Sequence, residues 1–229
     1  MWQPTRCVPQ RTQNTVVTLL SIVSHLLNSK TAAPLDPIMR AAREVVMTHG
    51  PRRATVAEVA RRAGVSRMTV YRRFESLDRI ILELLTTELA QLLDQVAVDP
   101  AEGTARERSA KAIARATKET ANHPVLARIL EVDPEALTPL MVSRFGHTQQ
   151  AAAAALVPLL AAGMSCFDGD GSIPDGDPTV VAQTVVISLQ SWVFASRAIN
   201  ALPNAQLVWN QLPALVAGML AGSTRDHHD

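Results

Sequence analysis

Aromatic side chains are nearly missing from this sequence: three Trp, one Tyr and four Phe make up 3% of 229 residues. Alanine and leucine dominate instead. That balance speaks against a β-rich fold, which draws on aromatic and β-branched residues, and for close-packed helices. Cysteine is as scarce. Cys7 and Cys166 stand far apart and form no ligand pattern, so no disulfide framework is suggested and a reduced, cytoplasmic protein is expected. A membrane-spanning run is also lacking. The best candidate, Thr15–Leu27, has thirteen residues, against the roughly 20 that a span needs.

That stretch has a helical period. Val16, Leu19, Leu20, Val23, Leu26 and Leu27 form one stripe, with Thr18, Ser21, His25 and Asn28 opposite. This predicts an amphipathic helix rather than the uniformly apolar core of a secretory signal. Its role stays open among a helix against a dimer, a DNA-contacting arm and an extension from an upstream start codon.

What is plentiful is apolar material, 47% of residues, enough for a substantial core. Arginine is concentrated. Between Ile38 and Arg79 ten arginines face four acids, a local charge of +6, and the total of +1 leaves −5 for the rest. Such asymmetry points to a polyanionic partner for one part of the chain, with a solvated charged face as the alternative.

The pattern along the chain is helical throughout. Asp36-Pro37 starts a helix that stops at Gly50-Pro51. Thr55-Val-Ala-Glu58 has the form of a capping box. The helix it opens ends at Gly64, and Ser66 caps another from Arg67 to Phe74 with Val70 and Phe74 inward. A long helix capped by Ser76 runs from Leu77 to about Asp99-Pro100. Further helices are expected over Thr104–Asn122, Pro124–Glu131, Pro134–Met164, Thr179–Asn200 and Ala205–Leu220, with a mobile acidic loop over Asp168–Pro178. The expected organisation is an extension (1–35), a small helical domain (36–83), a larger one (84–222) and a tail (223–229).

Two short helices around the Ala63-Gly64-Val65-Ser66 turn form a helix-turn-helix, whose second helix lies in the major groove of DNA. The sequence Thr55–Leu85, "TVAEVARRAGVSRMTVYRRFESLDRIILELL", resembles the DNA-binding segment of the TetR family of transcriptional regulators. The likeness extends from Pro37, through "AAREVVMTHG". It implies an all-α protein with an N-terminal helix-turn-helix domain and a larger helical ligand-binding and dimerisation domain. It implies DNA contacts for Arg67, Met68, Thr69, Tyr71, Arg72 and Arg73, with Thr55 near the backbone and Ser66 at the helix start. Leu77 stands where the family usually has lysine, and Arg73 where histidine is common.

The resemblance further implies a homodimer, a double-stranded DNA operator and a small-molecule inducer, with no cofactor. For the dimer face the stripes Val181, Val185, Ser188, Leu189, Trp192 and Leu207, Leu212, Leu215, Met219, Leu220 are the candidates. Met141, Phe145, Gln183, Gln190 and Trp192 are candidate ligand contacts, with Phe194 as further wall and Arg128 and His147 as further anchors. Scarce aromatics point to an aliphatic or small ligand. No histidine spacing suggests a metal, the acidic loop lacks the closing glutamate of a calcium hand, and no nucleophile has a base at motif spacing, so no catalytic residue is assigned. The expected function is a ligand-released repressor. An interaction protein of the same fold that has lost operator binding is the alternative, and Leu77 is its one support.

Overall fold

The computed structural model describes residues 36–95, 103–137 and 145–222, and every regular element within them is a helix. The amphipathic stretch Thr15–Leu27, Met141, the side chain of His147 and the tail 223–229 lie outside the described residues.

Helix α1 (Pro37–His49) starts where the Asp36 carboxylate accepts the Ile38 N–H at 2.9 Å, and Ile38, Met39, Ala41, Ala42, Val45 and Val46 form its buried face. Gly50 ends it at φ 76°, and a Cβ there would lie 2.6 Å from the Val132 side chain. Only glycine meets both demands without strain. Helices α2 (Val56–Ala63) and α3 (Arg67–Arg73) follow, then α4 (Leu77–Gln95). The box expected at Thr55 is half made. Its hydroxyl accepts the Glu58 N–H at 3.2 Å, but Glu58 turns to Arg61 and Arg62 instead of reaching back. Two guanidinium donors outbid one amide. The reciprocal box instead stands between Thr104 and Glu107 at the start of α5 (Ala105–Ala121).

Beyond α5 come α6 (Pro124–Val132), α7 (His147–Ala161), α8 (Pro178–Phe194), α9 (Ser196–Asn200) and α10 (Ala205–Leu220). The single helix expected over Pro134–Met164 is not formed. A one-turn 3-10 segment covers Pro134–Leu137, and α7 begins only at His147, after an extended Gly146. Thr179–Asn200 is likewise divided, because Ala195 leaves the helical region (φ −82°, ψ 0°). The acidic loop is fastened rather than loose. Asp170 accepts the Ala105 N–H at 2.6 Å and the Ser172 N–H at 3.0 Å, Asp175 accepts the Cys166 N–H, and Ile173 is buried. Its acids thus serve as backbone acceptors, a use that composition does not reveal.

Two apolar clusters organise the molecule. The first joins α1, α2, α3 and the front of α4 to α6 through Val125, Leu126, Ile129 and Leu130. The second lies among α5, α7, α8 and α10. Helix α8 packs along α7, and α10 along α5.

Candidate nucleic-acid interface and ligand cavity

A seven-residue helix is too short to persist alone, so α3 depends on what holds it. Gly64 adopts the left-handed conformation (φ 68°, ψ 27°), while the Val65 N–H returns to the Ala60 carbonyl at 3.0 Å and the Gly64 N–H to Arg61 at 3.3 Å. That is a Schellman closure. One residue later the Ser66 hydroxyl caps α3 by accepting the Thr69 N–H at 3.0 Å, and it also bonds the Thr69 hydroxyl at 2.9 Å. Val70 is fully buried, which contributes about 1.5–3 kcal/mol. Turn, cap and one valine therefore aim the whole outer face of α3.

On that face Met68 is 68% and Tyr71 51% exposed, unusual for large apolar side chains. Arg67 and Arg72 are exposed beside them, and neither pairs with a described acid. The other arginines divide cleanly. Arg43 pairs with Glu88, Arg52 with Glu135 and Asp133, Arg61 and Arg62 with Glu58, and Arg73 with Asp36. Arg40, Arg53 and Arg79 join Arg67 and Arg72 as exposed cations without a described ion pair. The Glu58 carboxyl is held down at about 2 by hydrogen bonds from Arg61 and then Arg62, so it stays charged and keeps both occupied.

Of the candidate DNA contacts, Arg67, Met68, Tyr71 and Arg72 thus share one open face. Thr69 is half-buried and engaged in the Ser66 cap, and Thr55 is exposed at the start of α2. Arg73 is turned back onto Asp36 and lies 5.2 Å over the Phe74 ring. Leu77 is half-buried against the first apolar cluster, so a packing role accounts for it.

The larger half of the molecule holds a cavity of about 160 Å³ between α4, α5, α6, α7 and α8. Of the candidate ligand contacts, Gln190 and Phe194 line it. The other candidates stand elsewhere. Gln183 is exposed, Phe145 packs on the second cluster, and Trp192 leans on Trp209 with centroids 5.7 Å apart. Arg128 donates to the Met47 carbonyl and to Glu131. Sequence reading missed Thr117, Thr120, Thr148 and Gln149, which bring polar atoms to the wall. The signal was present in α5, where Thr117 and Thr120 interrupt the stripe of Ile113 and Ala116 at helical spacing.

Leu85 and Leu126 belong both to this wall and to the core beneath α1–α3, and Val193 and Phe194 touch both. Alongside them Glu88, also missed, sits almost fully buried in the apolar stripe of α4. It accepts from Arg43 Nε of α1 at 3.1 Å and from His123 Nε2 at 3.1 Å. The other imidazole nitrogen of His123 is buried without a partner among the described residues.

A family model described as bacterial regulatory proteins, tetR family, matches residues 38–84. Two curated relatives, each an uncharacterized HTH-type transcriptional regulator, come from Mycobacterium tuberculosis (strain H37Rv) and Mycobacterium bovis. Each is 30% identical over 183 residues, covering 80% of this chain and 92% of the relative. Among solved structures, the repressor QsdR of R. erythropolis has a TM-score of 0.60 at 20% identity, over 86% of this chain and 100% of that one. AlkX of Dietzia sp., implicated in biodegradation of n-alkanes, has a TM-score of 0.58 at 17% identity, over 83% and 96%. FadR of Bacillus subtilis, in complex with stearoyl-CoA, has a TM-score of 0.54 at 18% identity, over 80% and 97%. At these identities the structural likeness speaks for the fold.

Proposed function

This chain belongs to the TetR family of bacterial transcriptional regulators, and from that premise we propose that it is a cytoplasmic, homodimeric repressor, released from its operator by a small apolar ligand. The family is one of regulators rather than enzymes. The observation that carries the reading is the sorting of the arginines. Five are neutralised by carboxylates, while Arg67 and Arg72 stand uncompensated on the outer face of α3 beside exposed Met68 and Tyr71. Arginine there can grip phosphate or read guanine, and Met68 and Tyr71 can meet a thymine methyl.

Two copies are needed for two half-sites one turn of DNA apart. Val180 and Ile187 on α8 and Leu207 and Leu215 on α10 are large apolar side chains left exposed in one copy, and they support a face for the second. The stripe through Val185, Leu189, Leu212 and Leu220 does not, because all four are buried in the protein's own core. For release, Leu126 of α6 has one side in the cavity wall and the other in the core of the DNA-binding helices, while the neighbouring Arg128 bonds α1 through the Met47 carbonyl. A ligand that prefers a displaced α6 shifts the spacing of the two reading helices, by its differential affinity for the two states. The n-alkanes named with one structural neighbour agree with an apolar ligand.

The test is salt-titrated binding of the purified protein to the DNA upstream of its own gene, beside an Arg67→Ala/Tyr71→Ala/Arg72→Ala variant. Specific binding lost in the variant supports the regulator as drawn. Binding no tighter than to random DNA, followed by failure to select any sequence from a random pool, overturns it. The alternative, an interaction protein without operator binding, leans on Leu77, and the packing of Leu77 against the core gives that residue a structural role of its own.

A further inference from the structure

We infer that the cavity between α4, α5, α6, α7 and α8 takes an uncharged aliphatic ligand of about six to ten heavy atoms that carries one hydrogen-bonding end, such as an ester, lactone, amide or alcohol. This rests on the reading of the cavity as the inducer site and adds the chemistry of what enters it.

Charge is the first discriminator. Among the described residues lining the cavity none is ionisable: the wall is built from side chains such as Leu89, Ile113, Leu156 and Val185, with three threonines and two glutamines. The charged residues nearby line a different depression, where Glu88, Arg115, Lys118 and His123 stand. An ionised carboxylate in the apolar cavity would give up its hydration with no cation among the described residues to replace it. A neutral carbonyl or hydroxyl gives up far less and finds donors of the right kind.

Shape comes next. The volume, about 160 Å³, is close to the roughly 150 Å³ of an engineered apolar cavity that holds benzene, which sets the heavy-atom range. An eighteen-carbon chain exceeds it. Phe194 is the one aromatic residue in the described wall, and both tryptophans of this region are engaged with each other, so no pair of rings offers to sandwich a planar ligand.

Finally, the polar atoms are graded. The Thr117 hydroxyl is spent on the Ile113 carbonyl and the Thr148 hydroxyl on Thr86 at 2.7 Å. Thr120 makes no such bond to a described residue, and it shares the wall with Gln190 from α8. The Thr120 position fixes which end of the ligand is polar.

The test uses the full-length protein and three probes that share a chain: methyl hexanoate, hexanoate and hexane, measured by calorimetry at pH 7.5, with DNA release scored in parallel. We expect methyl hexanoate to bind at least tenfold more tightly than hexanoate. Thr120→Val, which keeps the shape and removes the hydroxyl, should weaken methyl hexanoate about five- to tenfold while leaving hexane unchanged. Ala152→Phe should fill the cavity and abolish binding of all three. Hexanoate binding as tightly as the ester, or a Thr120→Val variant that loses hexane equally, overturns the inference. Wild-type protein that holds its operator but binds no probe overturns the ligand class alone. Protein that binds the ester yet recognises no DNA overturns the repressor reading and leaves the ligand class standing.

Discussion

Glu88 of α4 accepts a hydrogen bond from Arg43 of α1 at 3.1 Å, and this pair ties the first DNA-binding helix to the element that leads into the larger helical half. Burial pushes the Glu88 carboxyl up, but the hydrogen bond from His123, together with the charge and hydrogen bond of Arg43, outweighs it and holds the group below its ordinary value. A carboxyl depressed in the folded state contributes stability that is present above its unfolded pKa, about 4.3, and is lost as the pH falls through the folded value. We expect urea-unfolding midpoints to drop below about pH 4.5 in the wild type and to drop less in Glu88→Gln. At neutral pH, Glu88→Ala should cost about 1.5–3 kcal/mol, the range for hydrogen bonds to charged groups. A double-mutant cycle with Arg43→Ala reads the coupling directly. Additive effects would show that the pair does not join the two helices.

The arginines of the reading head give a sharper contrast, because exposure alone does not separate them. Arg61 and Arg72 are both at the surface, yet Arg61 is held by Glu58 at 2.7 Å and Arg72 by no described acid. Arg72→Ala and Arg67→Ala should each weaken DNA binding about tenfold and lower the slope of log affinity against log salt by about one. Arg61→Ala should change the slope little. An equal loss in all three, measured by fluorescence anisotropy across salt, would show that the ion pairs do not decide which cations meet DNA.

How much of this the sequence disclosed follows from the range of the forces involved. The helix-turn-helix was legible because its signals are local: Gly64 must be left-handed, Ser66 must cap, and Val70 must point inward. The end of α4 is tied to its neighbours by residues far apart in sequence, and that was not legible. Arg43, Glu88 and His123 span eighty positions, and only the buried glutamate at core spacing hinted at them. Likewise Val185 and Leu189 have the period of an interface, but period does not tell a partner's core from the protein's own. The cavity depends on which of five helices meet. Of Met141, Phe145, Gln183, Gln190 and Trp192, which the sequence offers as ligand contacts, Gln190 lines it.

The loop after α7 offers a test of packing that leaves both sites untouched. At Gly169 an added Cβ would lie 2.6 Å from the Ala162 carbonyl oxygen and 2.7 Å from that of Met164. These are backbone atoms that cannot rotate away. Their own bonds, from the Asp170 and Gly169 N–H groups, hold the loop against α7. Gly169→Ala should therefore destabilise by about 1–3 kcal/mol, as overpacking does. At Gly176 nothing lies within 4 Å of such a Cβ, and Gly176→Ala should unfold like the wild type. Equal thermal midpoints for the two variants would mean that the loop yields and is not fastened.

The proposed homodimer can be tested at side chains that a single copy leaves mostly exposed. Ile187 is 58% and Leu207 64% exposed, on two helices that contact each other, while their inward neighbours Leu189 and Leu212 are buried. A carboxylate at 187 costs the monomer little, because that face already meets water, but in a dimer it would be buried without a partner. We expect Ile187→Glu to keep the wild-type helical content and to elute as a monomer where the wild type elutes as a dimer. Its affinity for a full operator should fall at least a hundredfold, towards that for a half-site, since the second reading head is then no longer tethered beside the first. Light scattering on the eluting peak settles the mass. A variant that stays dimeric would place the partner face elsewhere than on α8 and α10.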